Sequence, residues 1–389
     1  MRLLKRVLIG LAVLLLLGIG VIYALMPPIN VPIALLSGGI EVDEPLLARR
    51  ISLPDGFSFT VFSADLPNAR MMQVTVSGDL LVTTPSSGEV HLLYKDDNGD
   101  GIADGRKTIL SNLSKPHGIE LFQDWLYIAE TDAVGRIRFD AMTRQASGAY
   151  EQIVTGLPTE GRHWTRTVRA GPDGWLYVSI GSSCNECIEA NPKRAAIIRF
   201  RPDGTEQEIF ATGLRNSVGF DWSPRDGALY ATDNGRDLLG DDFPPEELNR
   251  IEPGGFYGWP YVHGFGDPDP EYGPGNEDKY IDAIQPLHAF RPHNAPLGIR
   301  FLRSGPYRDD ALVALHGSWN RREKDGYKVV RLHWSEDDTI TESDFMTGFL
   351  DDGHVIGRPA DIAESPSGEI FISDDFSGSV YRVVFSGQK

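Results

Sequence analysis

His163 stands in GRHWTRTVRAGPDG, flanked by Arg162, Trp164 and Arg166 rather than by apolar residues. Imidazole is the side chain best suited to take a proton near neutral pH. Arg215 and Asn216 follow in GLRNSVGFDWSP, and a guanidinium can stabilise negative charge developing on an oxygen. Between them lie Cys184 and Cys187, the only cysteines in the chain. No His follows Cys187, so this is not a haem-attachment motif. Two thiols alone make a poor zinc site, and a tight disulfide is the simplest reading in an oxidising compartment. Just downstream, TDNGRDLLGDDFPPEELNRI crowds Asp233, Asp237, Asp241, Asp242, Glu246 and Glu247 into one loop. Such a loop repels itself unless cations neutralise it, and carboxylates with backbone carbonyls are what calcium prefers. A second acidic run, DDNGDGIAD, places Asp96, Asn98 and Asp100 at alternate positions, with Asp104 beyond Gly101. It reads as the first part of a calcium loop, although Lys107 stands where a full EF-hand has its bidentate Glu. The remaining candidates are His293 in RPHNAPLG, the run HGSWNRR from His316 to Arg322, and Arg358 in GRPADIAESPSG.

These residues sit at the ends of repeated elements. The repeat is a turn with Gly and often Pro or Asp, an apolar or aromatic strand, a short loop, and a second strand with alternating side chains. Six such units begin at Val76, Leu121, Ala170, Asp221, Gly305 and Glu364. Period-2 alternation marks half-buried strands, and repetition at intervals of roughly 45 to 80 residues marks a propeller. The expectation is an all-β, six-bladed β-propeller over residues 50–389, closed by an outer strand from RISLPDGFSFTV near residues 50–61. Loops at one face would then converge on a central channel and bring Arg215, Arg321, Arg322 and Arg358 around it. Several basic groups there suit a polyanionic small ligand bound with a cation.

The formal net charge is -18. Phosphate backbones need a basic footprint, so nucleic acid is excluded as a partner. The N-terminus begins with Arg2, Lys5 and Arg6, followed by an uncharged apolar run over residues 7–26. This reads as a signal anchor or signal peptide over residues 1–26, with Ala24 the one candidate for a small cleavage-site residue, then a linker over 27–49. Either way the propeller lies on the periplasmic face, attached to the membrane through the N-terminal helix or released from it.

With these motifs in order, the chain resembles the soluble quinoprotein glucose and sorbosone dehydrogenases over roughly residues 50–385. These are six-bladed propellers that bind pyrroloquinoline quinone (PQQ) with calcium. The resemblance rests on H-x7-GPDG-x-LY-x3-G from His163, GLRN-x2-G from Gly213, and NGRD-x2-GDD-x-PPEELN-x-I with GG-x-YGWP from Asn234. The CxxC, the DDNGDGIAD turn and HGSWNR are closer to the sorbosone branch. The resemblance implies oxidation of an aldose or sugar aldehyde by hydride transfer to PQQ, with His163 as general base and Arg215 on the developing oxyanion. Asn216 and Arg358 match cofactor-holding positions, and His293 and Arg321 fall near other cofactor contacts. The carbonyls of Gly235 and Arg236 match those that ligate the cofactor calcium. The electron acceptor would be a quinone or cytochrome. Three positions depart from the glucose enzymes. Ser182 stands where an Asp orients the base, Ala360 replaces a second cofactor arginine, and His117 lies near the place of a substrate-contacting glutamine. A metal-dependent lactonase and a non-catalytic binding propeller are the alternative functions.

Overall fold

The computed structural model describes residues 10–18, 21 and 42–387. Six blades surround a channel, each built on four antiparallel strands that run from the axis outwards in chain order, except that the outermost strand of blade 6 comes from the start of the propeller. The innermost strands are Met72–Val74, Gly118–Phe122, Arg166–Ala170, Phe220–Trp222, Pro296–Phe301 and Pro359–Glu364, in blades 1 to 6. The ring closes as expected. Strand Phe57–Ser63 is the outer strand of blade 6, pairing Phe57 with Phe385 and Val61 with Tyr381. Each end of the chain thus supplies part of one sheet, which leaves the ring no open seam.

The second strands, such as Leu80–Thr84, Leu176–Ile180 and Ala311–Leu315, are buried along their whole length. A strand covered on both faces by neighbouring blades needs no alternation, so these read as continuous apolar runs. The core is correspondingly divided into six clusters, one at each seam between blades. At the axis the inner strands approach so closely that a Cβ on Gly219 would lie 2.1 Å from the Leu297 carbonyl oxygen. Part of the stretch read as a linker is built into the propeller. Glu44–Arg50 is a helix capped by Asp43, and its Leu47 is buried in the cluster between blades 5 and 6. The anchor read over residues 1–26 lies largely outside the described residues, among which no helix is long and apolar enough to cross a membrane.

Blade 4 carries the one long excursion that bears on the site. Between Glu246–Ile251 and His288–Phe290, the chain adds strand Gly255–Phe256 to blade 3, a small hairpin, and the helix Glu277–Tyr280. Asp269, within this excursion, is the anchor for Arg236 described below.

Candidate active site

One face of the ring receives the loops that enter each inner strand and those that leave each second strand. Arg70, His117, His163, Asn216, His293 and Arg358 all occupy the entry position, one per blade. His163 is held by its surroundings. Its ring Nδ1 lies 2.9 Å from both the carbonyl oxygen and Oγ of Ser182. The Ser182 hydroxyl donates to the Cys184 carbonyl at 2.7 Å. Its proton is therefore engaged, and the hydrogen between the ring and Ser182 must be Nδ1–H. In the neutral ring this leaves the Nε2 lone pair as the proton-accepting site. Burial, then the Arg215 guanidinium, hold the imidazole down to about 3, with the Ser182 carbonyl opposing. The ring is neutral at physiological pH. Gly181 lets His163 and Asn216 meet, because a Cβ there would lie 2.4 Å from Asn216 Oδ1 and 2.7 Å from His163 Cβ.

Arg215 is buried, and four of its N–H groups are taken. Nε and Nη2 donate to Asn185 O and Oδ1 at 2.9 and 2.8 Å, Nη1 to Asn234 O at 3.0 Å, and Nη2 to Asp237 Oδ2 at 3.0 Å. One of the five N–H groups of a guanidinium remains. Beneath it, Asp233 accepts the backbone N–H of Arg215 at 2.9 Å and of Asn216 at 2.7 Å. Blade 6 repeats the device: Asp374 accepts the N–H of Arg358 at 2.9 Å.

The acidic loop is packed rather than solvated. Glu246 Oε2 accepts the N–H of Gly235 at 2.5 Å, and Glu247 Oε1 that of Gly264 at 2.7 Å. Burial pushes both carboxyls up to about 8, and neighbouring acids add to it. Burial likewise pushes Asp233 up to about 7, against the pull of its hydrogen bonds and Arg215. Arg236 turns its side chain away from the channel, onto Asp269 at 2.7 Å and Glu271 at 3.2 Å. The carbonyl oxygens of Gly235 and Arg236 accept no hydrogen bond among the described residues, which suits them to a hard cation.

His293 and Arg321 bind this loop. His293 Nε2 donates to Gly240 O at 2.7 Å, and its Nδ1 faces Asn320 Nδ2 at 3.2 Å. Asn320 in turn donates to Asp237 at 3.1 Å. Arg321 reaches the carbonyls of Asp241, Pro292 and Glu323. Both residues stand at the site, with their polar atoms directed to the loop that carries the Gly235 and Arg236 carbonyls.

Opposite, Arg358 and Arg70 each bond Asp375 at 2.6 Å, and His316 lies 3.1 Å from the same carboxylate. Burial alone would raise the Asp375 carboxyl, but these three neighbours hold it well below the usual range. Burial depresses His316 to about 4. His117 is buried, its Nδ1 lies 3.1 Å from Arg166 O, and its ring meets Trp164 edge-on at 5.5 Å. Two buried polar atoms in this region have no protein partner: the Arg70 Nε–H donor and His117 Nε2, which is an acceptor because Nδ1–H is spent on the Arg166 carbonyl. Trp164 connects them to His163, since Arg70 also faces its ring at 6.0 Å. Guanidinium groups with unanswered donors fit a polycarboxylate such as PQQ, and the free carbonyls fit its calcium.

The structure thus gathers His163, Arg215, Asn216, His117, His293, Arg321, Arg358 and the 233–247 loop at one mouth. Cys184 and Cys187 are joined in a disulfide beside it. The run Asp96, Asn98, Asp100 and Asp104 lies elsewhere, at the rim between blades 1 and 6. Asp96 accepts the N–H groups of Gly99, Asp100 and Gly101 and pairs with Arg382 at 3.2 Å, while Asn98 donates to Asp104. Thr60 of the closing strand donates to Gly101 O at 2.6 Å. In this structure the turn fastens the seam between blades 1 and 6. Among the described residues, the one group of three His, Cys, Asp or Glu side chains close enough together for a metal is Cys184, Cys187 and Glu189, and its two sulfurs are spent in the disulfide. Sequence reasoning overlooked Arg70, Asp375 and Asn185. Aligning the entry and exit positions of the six repeats would have exposed the first two.

A family model described as TrAA12-like matches residues 51–268 and 276–385. The chain belongs to this family, within the PQQ-dependent sugar dehydrogenases. An uncharacterised protein of Borreliella burgdorferi is 31% identical over 376 residues, covering 90% of this chain and 95% of that protein. A pyrroloquinoline quinone-dependent pyranose dehydrogenase of Coprinopsis cinerea is 26% identical over 408 residues, covering 86% of this chain and 54% of that protein. The chain therefore spans about half the length of that relative. The solved Trichoderma reesei family AA12 enzyme (iodide structure) shares the fold with a TM-score of 0.76, at 22% identity, over 87% of this chain and 98% of that one. The holo PQQ domain of the Coprinopsis cinerea enzyme does so with a TM-score of 0.75, at 22% identity, over 86% and 97%.

Proposed function

We propose that this protein oxidises a sugar at an aldose or sugar-aldehyde carbon, using PQQ and calcium, with His163 as general base. The observation that carries the reading is the hydrogen-bond accounting at His163, which leaves Nε2 as a proton acceptor beside Asn216 and Arg215. PQQ held with calcium supplies the two-electron hydride acceptor. His163 Nε2 takes the proton of the substrate hydroxyl, and Ser182 keeps the ring in the required tautomer. The free N–H of Arg215 stabilises the oxygen as it gains negative charge. Asn216 holds the cofactor edge. Arg358 and Arg70, spaced by Asp375, would bind cofactor carboxylates, His117 would offer its Nε2 lone pair to a donor on the cofactor or substrate, and the Gly235 and Arg236 carbonyls would ligate the calcium. His293 and Arg321 keep those carbonyls in place. The substrate class extends to sorbosone-like aldehydes, and electrons leave to a quinone or cytochrome. The apolar segment over residues 7–26 would keep this chemistry at the periplasmic membrane face.

The test is dye reduction by the purified full chain with PQQ and calcium across aldoses and sugar aldehydes. Turnover abolished by a chelator is expected. No turnover, together with no PQQ binding by calorimetry, overturns the proposal.

A further inference from the structure

We infer that the Cys184–Cys187 disulfide is a redox-sensitive splint that positions His163 and Arg215. The inference deepens the reading of His163 as proton acceptor and rests on it.

Residues 182–189 contain no helix or strand, yet they contact the base, the Arg215 guanidinium and the acidic loop. Ser182 bonds His163 Nδ1 through two oxygens. Ser183 O accepts the N–H of Arg162 at 2.7 Å, fixing the backbone beside the base. Asn185 accepts from Arg215 through both its carbonyl and its side-chain oxygen. Asn185 also exchanges bonds with the acidic loop, donating to Asp237 O at 3.1 Å and accepting the Asp237 N–H at 2.9 Å. One short irregular segment therefore sets base, guanidinium and metal-loop geometry together.

Irregular backbone holds one conformation only when something offsets its conformational entropy. Within this segment the fastenings are few. They are the Ser182 hydroxyl on Cys184 O, the Glu189 carboxylate on Ser183, a long contact of the Ser183 hydroxyl with Cys187 Sγ, and the disulfide itself. The covalent bond closes the turn that carries Asn185, so its loss removes the covalent constraint on the residue that holds Arg215 and leaves it to its hydrogen bonds. Both cysteines are partly exposed and open to an external dithiol. One reductant thiolate attacks a sulfur, the Cys184–Cys187 bond breaks, and a mixed disulfide forms. The second reductant thiol resolves it, leaving two protonated cysteines and the oxidised reductant. Glu189 Oε1 lies 3.9 and 3.7 Å from the two sulfurs. Its negative charge disfavours a thiolate, so the reduced pair stays as neutral thiols, whose weak S–H donation to Glu189 is a poor substitute for the covalent bond.

The experiment compares the full chain oxidised, reduced by dithiothreitol and desalted without oxygen, and as the double variant Cys184→Ser/Cys187→Ser. Hydrogen exchange over residues 182–189 and the NMR titration of His163 are read without cofactor, and kcat and KM are read with PQQ and calcium. Reduction is expected to speed exchange in 182–189 by tenfold or more. It should also raise the His163 titration by at least one pH unit towards an ordinary imidazole and lower kcat at least tenfold with little change in KM, and reoxidation should restore all three. Unchanged exchange and titration on reduction overturn the inference. Loss of the whole propeller's melting transition overturns it too, because the effect would then be global. If the oxidised chain shows no turnover, the proposed function fails, while the exchange and titration still decide the role of the disulfide.

Discussion

The channel has two levels of polar side chains, and they differ in how charge is answered. At the site level stand Arg70, His117, His163, Asn216, His293 and Arg358. Further along the same inner strands stand Gln73, Glu120, Arg169, Asp221, Arg300 and Asp361, again one per blade. From blade 2 to blade 6 this second ring alternates in sign. Glu120 and Arg169 lie 3.7 Å apart, Asp221 and Arg300 3.8 Å, and Arg169 and Asp361 4.0 Å. Most of these residues line a cavity of about 350 Å³ at the far mouth. Arg169 Nε and Asp361 Oδ1 lack partners there, but every charge has an opposite neighbour. At the site level Arg70 and Arg358 gather around Asp375, while the His163 ring meets no carboxylate. The same scaffold position, moved a few residues along a strand, changes from pairing charge to presenting it. Buried alternating pairs add little net stability but are costly to break singly.

Removing the base is the severest way to break this contrast. His163→Ala should lower kcat by about 10² to 10⁴-fold, the range of general-base contributions, with PQQ affinity unchanged by calorimetry. Retained turnover would remove His163 from the mechanism. Arg358→Ala should act on binding instead, weakening PQQ by roughly tenfold to a hundredfold as one charge-assisted contact is lost. A titration giving parent affinity would break that assignment.

The pH profile sharpens the comparison. His163 is depressed to about 3, so it stays unprotonated as the pH falls from 8 to 5. The parent should show no acid limb from this group in that interval of kcat/KM. Ser182→Asp places a carboxylate on Nδ1–H, which favours the imidazolium and raises its pKa by about 1 to 3 units. An acid limb should move upward in that variant, and a profile identical to the parent's would count against the assigned tautomer. The smallest effect on activity belongs to the second ring. Arg169→Met should leave kcat per folded molecule within about twofold, since well-separated sites act independently. Its denaturation midpoint should fall as Glu120 and Asp361 lose their partner. A large loss of kcat would show that the two levels are coupled.

Much of this was legible in the chain because repeats and motifs are local. The six units, the closing strand and the segments holding His163, Arg215 and Arg358 can be read from alternation, turn residues and spacing. Asp96, Asn98, Asp100 and Asp104 were legible as a turn for the same reason. Their spacing matches a calcium loop, turns built on backbone N–H groups use the same residue types, and in the structure Asp96 accepts three such donors. The structure sets His293 and Arg321 against the 233–247 loop, and those partners were not readable.

The sequence by itself determined the propeller, its six repeats, and which residue types stand at each strand entrance, because hydrophobic period and turn chemistry act over a few residues. Only the tertiary structure decided which entrances face the same channel, that Arg70 and Arg358 share Asp375, and that Ser182 dictates the His163 tautomer. Those relations join residues up to hundreds of positions apart, and closing the ring of blades is what brings them within hydrogen-bond range.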